Sequence, residues 1–262
     1  MDIFDNALVK IYNFFETTIT GLEKTIGKSF ISSVQQSLDK FHASVLLISA
    51  GLLFVSSIIA YSRMEMDLLI ILIFVGPLLL LLLNYLGESF HDACDDLISS
   101  NPTSISNYAY LRLSGVLTFL ISVGVFVFAL KLMFDGESIM IVAPMFVLAI
   151  YMLLNTVPLF NPDLINLHVD TSSSSAEDLV AIFSFNLKAM VFLQKIFSRI
   201  FVIIGGLLLM YSLVETSYLF YGLGSLAAGV ILPVVIYLFF IIFYFLYALV
   251  LAILAIPRIN KD

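Results

Sequence analysis

The chain has 262 residues, of which 61% are hydrophobic and only 12% are charged, and its mean hydropathy is +1.09. Soluble proteins carry about 25% charged residues, so this composition excludes a soluble enzyme and a disordered acidic chain. The formal net charge of -7 argues against nucleic acid as a partner. These quantities predict an integral membrane protein whose first partners are membrane lipids.

Residues 1–42 are predicted to form an amphipathic N-terminal helical segment. Apolar residues recur in it at every third or fourth position, and Gly21 and Gly27 are expected to divide it into two helices. Its charges nearly balance, whereas a helix that binds anionic lipid by charge is normally basic. Two interpretations stay open for this segment: packing at the interface or on another helix, and docking of a partner protein.

Six apolar runs follow, each about long enough to cross a bilayer core of about 30 Å at a rise of about 1.5 Å per residue. The predicted spans cover residues 43–61, 68–86, 114–133, 139–157, 197–214 and 226–256. They form three consecutive transmembrane hairpins, over 43–86, 114–157 and 197–256. The predicted fold class is therefore all-α: a polytopic membrane protein with about six transmembrane helices, plus amphipathic cytoplasmic or interfacial helices.

Three segments outside the spans complete the expected organisation. Residues 87–113 are an acidic cytoplasmic loop or helix, residues 158–196 are a cytoplasmic loop followed by an amphipathic helix, and residues 257–262 are a cytoplasmic tail. In the second of these, Lys188 and Arg199 share one helical face, and apolar residues such as Phe183 occupy the other. A lysine in the middle of a bilayer is costly, so we expect a helix that lies in the membrane plane or protrudes from it and leads into span five.

Basic residues set the expected orientation, because loops on the cytoplasmic side of a membrane are enriched in Lys and Arg. With the N-terminus inside, the cytoplasmic segments contain ten of the 12 basic residues: Lys10, Lys24, Lys28, Lys40, Arg112, Lys188, Lys195, Arg199, Arg258 and Lys261. The outer segments contain the other two, Arg63 and Lys131. We therefore expect a multi-pass protein of the cell membrane with both termini in the cytoplasm and short outer loops.

The three hairpins share features that are consistent with an internal threefold repeat. The odd spans carry a glycine at Gly51, Gly124 and Gly206, and the even spans carry Pro77, Pro144 and Pro233. The alternative interpretation is that the similarity has no structural meaning, because glycine and proline are common in membrane helices.

The most reactive stretch lies just after span two. On a helix, Glu88, His91, Asp92 and Asp95 share one face, at spacings of three, four and seven residues. Glu-x-x-His is half of a di-iron carboxylate site, but the chain lacks the second half. One interpretation of these four residues is a site for a hard or mixed-ligand divalent metal ion. The other is a solvated acidic helix beside the membrane.

Motifs for other chemistry are absent from the sequence. The chain has no phosphate-binding glycine loop, no Gly-x-Ser-x-Gly elbow and no haem attachment motif. Its single cysteine, Cys94, excludes an intramolecular disulfide and a thiolate metal cluster. We therefore assign no catalytic residue, no cofactor-binding residue and no cofactor, and we expect the protein not to be an enzyme.

The uncharged span interiors and the patterned cytoplasmic helices lead to an expected function. This is a non-enzymatic membrane subunit that anchors or scaffolds a larger complex, with other membrane or cytoplasmic proteins, or further copies of the chain, as partners. The alternative is an oligomeric channel or a carrier for ions, small solutes or lipid, for which Ser49, Ser56, Ser122 and Asn84 would have to converge on a pore. A membrane enzyme that uses the 88–96 cluster is a third hypothesis.

Overall fold

The computed structural model of the chain describes residues 27–64, 66–171 and 175–259, together with scattered positions between 10 and 25. Its described part contains six long helices, a single turn of 3-10 helix at Pro162–Ile165 and two short strands. The helices are α1 (Lys28–Met64), α2 (Asp67–Ser100), α3 (Ala109–Phe134), α4 (Ile139–Phe160), α5 (Ser175–Ser212) and α6 (Tyr218–Ile259). Seventeen residues of the predicted N-terminal amphipathic segment, all before Gly27, and residues 260–262 of the predicted tail lie outside the described residues.

The predicted all-α fold with about six spans is confirmed. Five of the six helices contain one predicted span in full, α5 contains all but the last two residues of span five, and all six are long and apolar enough to cross a membrane. Several helices are much longer than a bilayer requires. The 38 residues of α5 extend roughly 57 Å at the helical rise, so the amphipathic segment before span five and the span itself form one continuous helix.

Local sequence explains where two of the helices begin and end. Helix α1 begins directly after Gly27, one of the two glycines that were expected to divide the N-terminal segment. Between α3 and α4, Gly136 has a φ of 77°, which glycine adopts without the steric cost that other residues incur. The backbone N–H groups of Gly136 and Glu137 donate to the carbonyls of Met133 and Leu132, at 3.3 and 3.0 Å. This pattern is a Schellman motif, which ends α3 and turns the chain into α4.

A two-stranded parallel sheet was not predicted from the sequence. Strand β1 (Thr103–Ile105) pairs with β2 (Leu167–Val169), and Thr103 lies opposite Leu167. The strands follow α2 and the 3-10 turn, respectively, so the sheet joins the two long connections that precede α3 and α5. Pairing of β1 with β2 gives backbone N–H and C=O groups of these connections hydrogen-bond partners that a helix would otherwise supply.

The chain divides into two compact units. Unit 1 contains residues 103–181 and the described residues up to Ser33, and unit 2 contains residues 34–102 and 182–259. In unit 1, α3 packs against α4, where the Ser122 hydroxyl donates to the Ala149 carbonyl at 2.9 Å. The rings of Phe126 and Phe146 meet edge to face nearby, with their centroids 5.4 Å apart, within the range of about 4.5–7 Å that is usual for such pairs.

Unit 2 has a core of Leu, Val and Ala side chains from α1, α2, α5 and α6. Small residues let α5 and α6 approach closely, as is common where helices pack in lipid. A Cβ atom on Gly229 would lie 2.9 Å from the Ser198 carbonyl oxygen, and the Ser198 hydroxyl donates to the Gly229 carbonyl at 2.6 Å. The threefold repeat stays a prediction, although its glycines differ in surroundings: Gly206 lies against Ser49, whereas Gly51 and Gly124 have open space beside them.

Candidate functional site

Helix α5 buries the polar side chains of the face described above. Lys188 is 0% exposed, Arg199 is 5% exposed and Ser184 is fully buried. Two apolar residues of the opposite face, Leu179 and Phe183, are 70% and 46% exposed. Three other apolar residues of that face, Leu187, Val191 and Phe197, are buried, so most of the helix packs on both faces, unlike a surface helix that turns its charged face to water. An inward charged face is typical of membrane proteins, where ionisable groups face the bundle interior.

Arg199 is the centre of a charged cluster that joins three helices of unit 2. Its Nη1 and Nη2 atoms both donate to the Glu88 carboxylate on α2, the second at 2.8 Å from Oε2. Its Nε atom donates to Asp39 Oδ1 on α1 at 3.1 Å. A two-pronged guanidinium–carboxylate contact is stronger and more directional than a single hydrogen bond. We call Arg199, Glu88, Asp39, His42 and Asn84 the Arg199 cluster.

His42 and Asn84 complete the Arg199 cluster. The Nε2 atom of His42 lies 2.9 Å from Asn84 Oδ1 and 3.5 Å from Glu88 Oε1. An amide oxygen can only accept a hydrogen bond, so Nε2 carries the proton and donates to Asn84. The histidine thereby links α1 to α2, about one helical turn along α1 from Asp39, which links α1 to α5.

The cluster coincides with one end of three predicted spans. Its members on α1 and α2 lie near the start of predicted span one, residue 43, and the end of predicted span two, residue 86, and Arg199 lies near the start of predicted span five. Charged groups at that level can be reached by water and headgroups, so they do not carry the cost of charge in the middle of a bilayer. The cluster therefore fixes the register of three helices near a membrane edge.

Lys188 occupies a second buried position on α5, 11 residues before Arg199 and therefore about 16 Å along the helix. Its Nζ atom donates to the backbone carbonyl of Asn101, just beyond the end of α2. Because α2 also extends past its predicted span, the two helices continue together beyond the Arg199 cluster. This contact ties the end of α2 to α5.

The four residues of the predicted metal site have different surroundings. The inward face of α2 consists of Gly87, His91, Cys94 and Ile98, whereas Asp92 and Asp95 are exposed. Glu88 is half-buried, and its carboxylate is bound by Arg199. All four residues lie on helix α2, as the spacing predicted. Of the four, only His91 belongs to the buried face.

Within the described residues, no three His, Cys, Asp or Glu side chains form a group that could hold a metal ion. The metal hypothesis for Glu88, His91, Asp92 and Asp95 therefore has no geometric support and stays a prediction. The guanidinium of Arg199 occupies the position beside Glu88 that a cation would need. The Glu88 carboxylate instead forms an ion pair with Arg199, which joins α2 to α5.

In unit 1 a further set of polar contacts lies in the connections between helices. Asp178, in the first turn of α5, accepts hydrogen bonds from the backbone N–H of Ser106, at 2.7 Å, and from the Ser106 hydroxyl. The Tyr108 hydroxyl donates to the Leu167 carbonyl at 3.3 Å and lies 3.4 Å from Asp163 Oδ1. Burial and the nearby Asp163 carboxylate raise the pKa of Tyr108, so its hydroxyl stays a neutral donor.

Sequence reasoning missed Asp39, His42 and Arg199 as members of one cluster. Asp39 and Arg199 are 160 residues apart, and no local spacing connects them. The sequence did contain one signal. Residues of opposite charge flank predicted spans one, two and five, and they would lie at the same level if these three helices packed side by side. The cost of placing Lys188 in a bilayer also drew attention to α5. It led to the expectation of an in-plane or protruding helix, and not to a search for a partner of Lys188.

Comparisons with protein-family models, with curated proteins and with solved structures give no match for this chain. The functional interpretation therefore rests on the fold and on the contacts described above.

Proposed function

We propose that the chain is a non-enzymatic integral membrane subunit that anchors or scaffolds a larger membrane complex. One observation carries this proposal: the polar side chains of the span helices are used to join helices to one another. A protein of this kind needs a rigid set of spans and an outer surface that neighbours can contact. It needs neither a polar pathway nor a reactive cluster.

The residues that a pore would require support this reading. Asn84 binds His42, and Ser56 donates to the Leu209 carbonyl at 3.3 Å. The buried Ser49 hydroxyl lies against Gly206 and has no hydrogen-bond partner among the described residues. Ser122 belongs to unit 1, where it donates to the α4 backbone. Polar side chains act between helices in this way in many membrane proteins, and each such contact contributes about 0.6 kcal/mol on average.

The outer surface of α2 also supports a scaffold. A continuous stripe of large apolar side chains is exposed along this helix, at Leu68, Ile71, Phe74, Leu78, Leu82 and Tyr85. Their spacing of three or four residues keeps them on one face over nearly five turns. Such a face suits contact with lipid tails or with spans of a neighbouring subunit.

The location and partners form part of the same proposal. The distribution of basic residues favours a cell-membrane protein with both termini in the cytoplasm. The extensions of α2 and α5 beyond their predicted spans would then lie on the cytoplasmic side, where Lys188 holds them together. This arrangement gives cytoplasmic partners a rigid surface to bind.

Purification from native membranes tests the proposal. The tagged full chain is extracted in a mild neutral detergent, and co-purifying proteins are quantified by mass spectrometry against an unrelated tagged polytopic protein from the same membranes. We expect a stoichiometric partner whose abundance in the membrane falls when the chain is deleted. A stable monomer with no partner, and no loss of any membrane protein on deletion, would contradict the proposal.

One observation favours the alternative of a channel or carrier. Along the buried side of unit 2, His91 Nδ1, Ser184 Oγ and Gln194 Oε1 have no hydrogen-bond partner among the described residues. Buried polar atoms usually have partners, so this region is suited to hold water. Liposomes containing the purified chain, assayed for flux of ions, osmolytes and labelled lipid, test this alternative. No flux above that of empty liposomes would rule it out.

A further inference from the structure

A cavity of about 110 Å³ lies within unit 2, between α1, α2 and α6. Every described residue that lines it is Leu, Val, Ala or Gly, so its side chains offer no hydrogen bond. Protein interiors are close-packed, and few of their voids are larger than a water molecule. Apolar cavities of about 150 Å³ stay dry and take up small apolar molecules. The kind of molecule that fits this cavity is therefore a hydrocarbon.

Small residues on two helices leave this space open. Gly76 lines the cavity from α2, and Ala227 lines it from α6. A Cβ atom on Gly76 would lie 3.2 Å from Cδ2 of Leu53, which lines the cavity from α1. A larger side chain at position 76 or 227 would therefore occupy space that the native chain leaves empty.

The cavity connects the core of unit 2 with its outer surface. Its inner wall includes Leu80, Leu226 and Val230, which are buried and belong to the core of unit 2. Leu79 also lines the cavity, but its side chain is exposed. A flexible molecule at the surface of α2 can therefore enter beside Leu79 and reach side chains that are otherwise covered.

The depth of the cavity identifies the hydrocarbon. Leu53 and Gly76 lie near the centres of predicted spans one and two, residues 43–61 and 68–86. At the helical rise, Gly76 is about 12–15 Å from either end of its span, which is about half of a bilayer core of about 30 Å. Acyl chains have their methyl ends at this depth. A chain of methylene groups can follow a lining that offers only dispersion contacts.

We propose that this cavity binds the methyl end of a phospholipid acyl chain. The acyl chain enters beside Leu79 and lies against Leu80 and Leu226, and Gly76 and Ala227 provide the room for it. Lipid at the exposed stripe of α2 would contact only the outer surface, whereas this acyl chain reaches the core of unit 2. The proposal does not depend on whether the protein is a scaffold or a channel.

Photolabelling of the full chain in liposomes tests the proposal. The liposomes contain phosphatidylcholine with a diazirine either near the methyl end of one acyl chain or near its ester, and labelled residues are located by mass spectrometry. We expect the methyl-end probe to label Leu80 and Leu226, although both are buried, and the ester-end probe to label them much less. Leu78, on the exposed stripe, reports contact with surrounding lipid. Absence of label at Leu80 and Leu226, with Leu78 labelled, would overturn the proposal.

Variants that fill the cavity provide the matched comparison. Gly76→Leu and, as a second variant, Ala227→Leu should each lower labelling of Leu226 relative to Leu78 by at least about fivefold, because the added side chain takes the space of the acyl chain. Gly51→Leu is the control. Gly51 lies in the same unit and near the centre of its predicted span, and a Cβ atom there would meet nothing within 4 Å, so its labelling ratio should stay native.

Thermal midpoints establish which variants fold. Native labelling in a folded cavity variant, or an equal decrease in Gly51→Leu, would overturn the proposal. The same methyl-end probe is also added to native membranes. Label at Leu226 in liposomes but not in native membranes would show that a neighbouring protein fills the cavity there, and would overturn the assignment to lipid.

Discussion

The two units treat their basic side chains in opposite ways. In unit 2, Arg199 and Lys188 are buried and bound by groups on other segments of the chain. In unit 1, Lys28 and Arg112 are exposed and border a recess. A buried charge must be compensated by the protein itself, whereas an exposed one can meet an external ligand. The comparison separates charge that is buried between helices from charge that lies at the surface.

Removing the main partner of Arg199 is the strongest way to test this distinction. Glu88→Ala leaves a guanidinium that is 5% exposed with only Asp39 as its carboxylate partner. Breaking a buried ion pair costs about 3–5 kcal/mol. Because the Glu88 side chain is 39% exposed, we expect a loss nearer to about 2–3 kcal/mol in the free energy of unfolding.

Thermal unfolding in detergent measures this effect. We expect the midpoint to fall by roughly 5–10 °C for Glu88→Ala and by a smaller amount for Glu88→Gln, which keeps one acceptor. Glu137→Ala, in the exposed turn before α4, is the control and should change the midpoint little. Equal shifts for Glu88→Ala and Glu137→Ala would show that the buried pair does not stabilise unit 2.

Close packing in unit 2 gives the second largest expected effect. A Cβ atom on Gly229 would lie 2.9 Å from the Ser198 carbonyl oxygen and 3.1 Å from the Val202 backbone nitrogen. Backbone atoms cannot move aside as a side chain can, so Gly229→Ala should push α5 and α6 apart and cost about 1–3 kcal/mol.

The same helix offers a matched control for this substitution. A Cβ atom on Gly224 would meet nothing within 4 Å, and alanine favours a helix by up to about 1 kcal/mol relative to glycine. Gly224→Ala is therefore expected to be neutral or slightly stabilising in the same thermal assay. The prediction fails if the two glycine variants unfold at the same temperature.

The spans could be predicted from the sequence because an apolar run of about 20 residues has few other uses. Each predicted span, apart from the last two residues of span five, lies in one observed helix, and even the end of α3 follows from Gly136. The direction in which α5 faces could not be predicted this way. Periodicity separates its polar face from its apolar face, but it does not show that Lys188 and Arg199 on one face and Leu187 and Val191 on the other are all buried, which depends on the helices that pack on each side.

The Arg199 cluster was beyond sequence reasoning for a different reason. Glu88 was singled out by its own neighbours, His91, Asp92 and Asp95, which are close in sequence. Its actual partner is 111 residues away on α5. A contact between distant helices depends on which helices pack together, and hydropathy carries no information about that choice.

The smallest expected effect on stability concerns unit 1. It comes from the hydrogen bonds that join the first turn of α5 to the connection that carries β1. Asp178 holds the backbone N–H of Ser106 at 2.7 Å and also accepts from the Ser106 hydroxyl. Asp178→Ala removes both acceptors from the connection that carries β1. Because this region is partly open to water, which can replace them, we expect a loss of only about 1 kcal/mol.

Hydrogen–deuterium exchange resolves where the effect of Asp178→Ala is felt. We expect faster exchange over residues 103–108 and unchanged exchange in the parts of α5 and α6 that surround Arg199. Asp178→Asn keeps an oxygen that can accept from the Ser106 backbone N–H. Its exchange rate over residues 103–108 should therefore lie between the rates of Asp178→Ala and the native chain. If exchange instead rose equally in unit 2, the polar contacts of the two units would act as one network, and the contrast between the buried charge of unit 2 and the exposed charge of unit 1 would have to be abandoned.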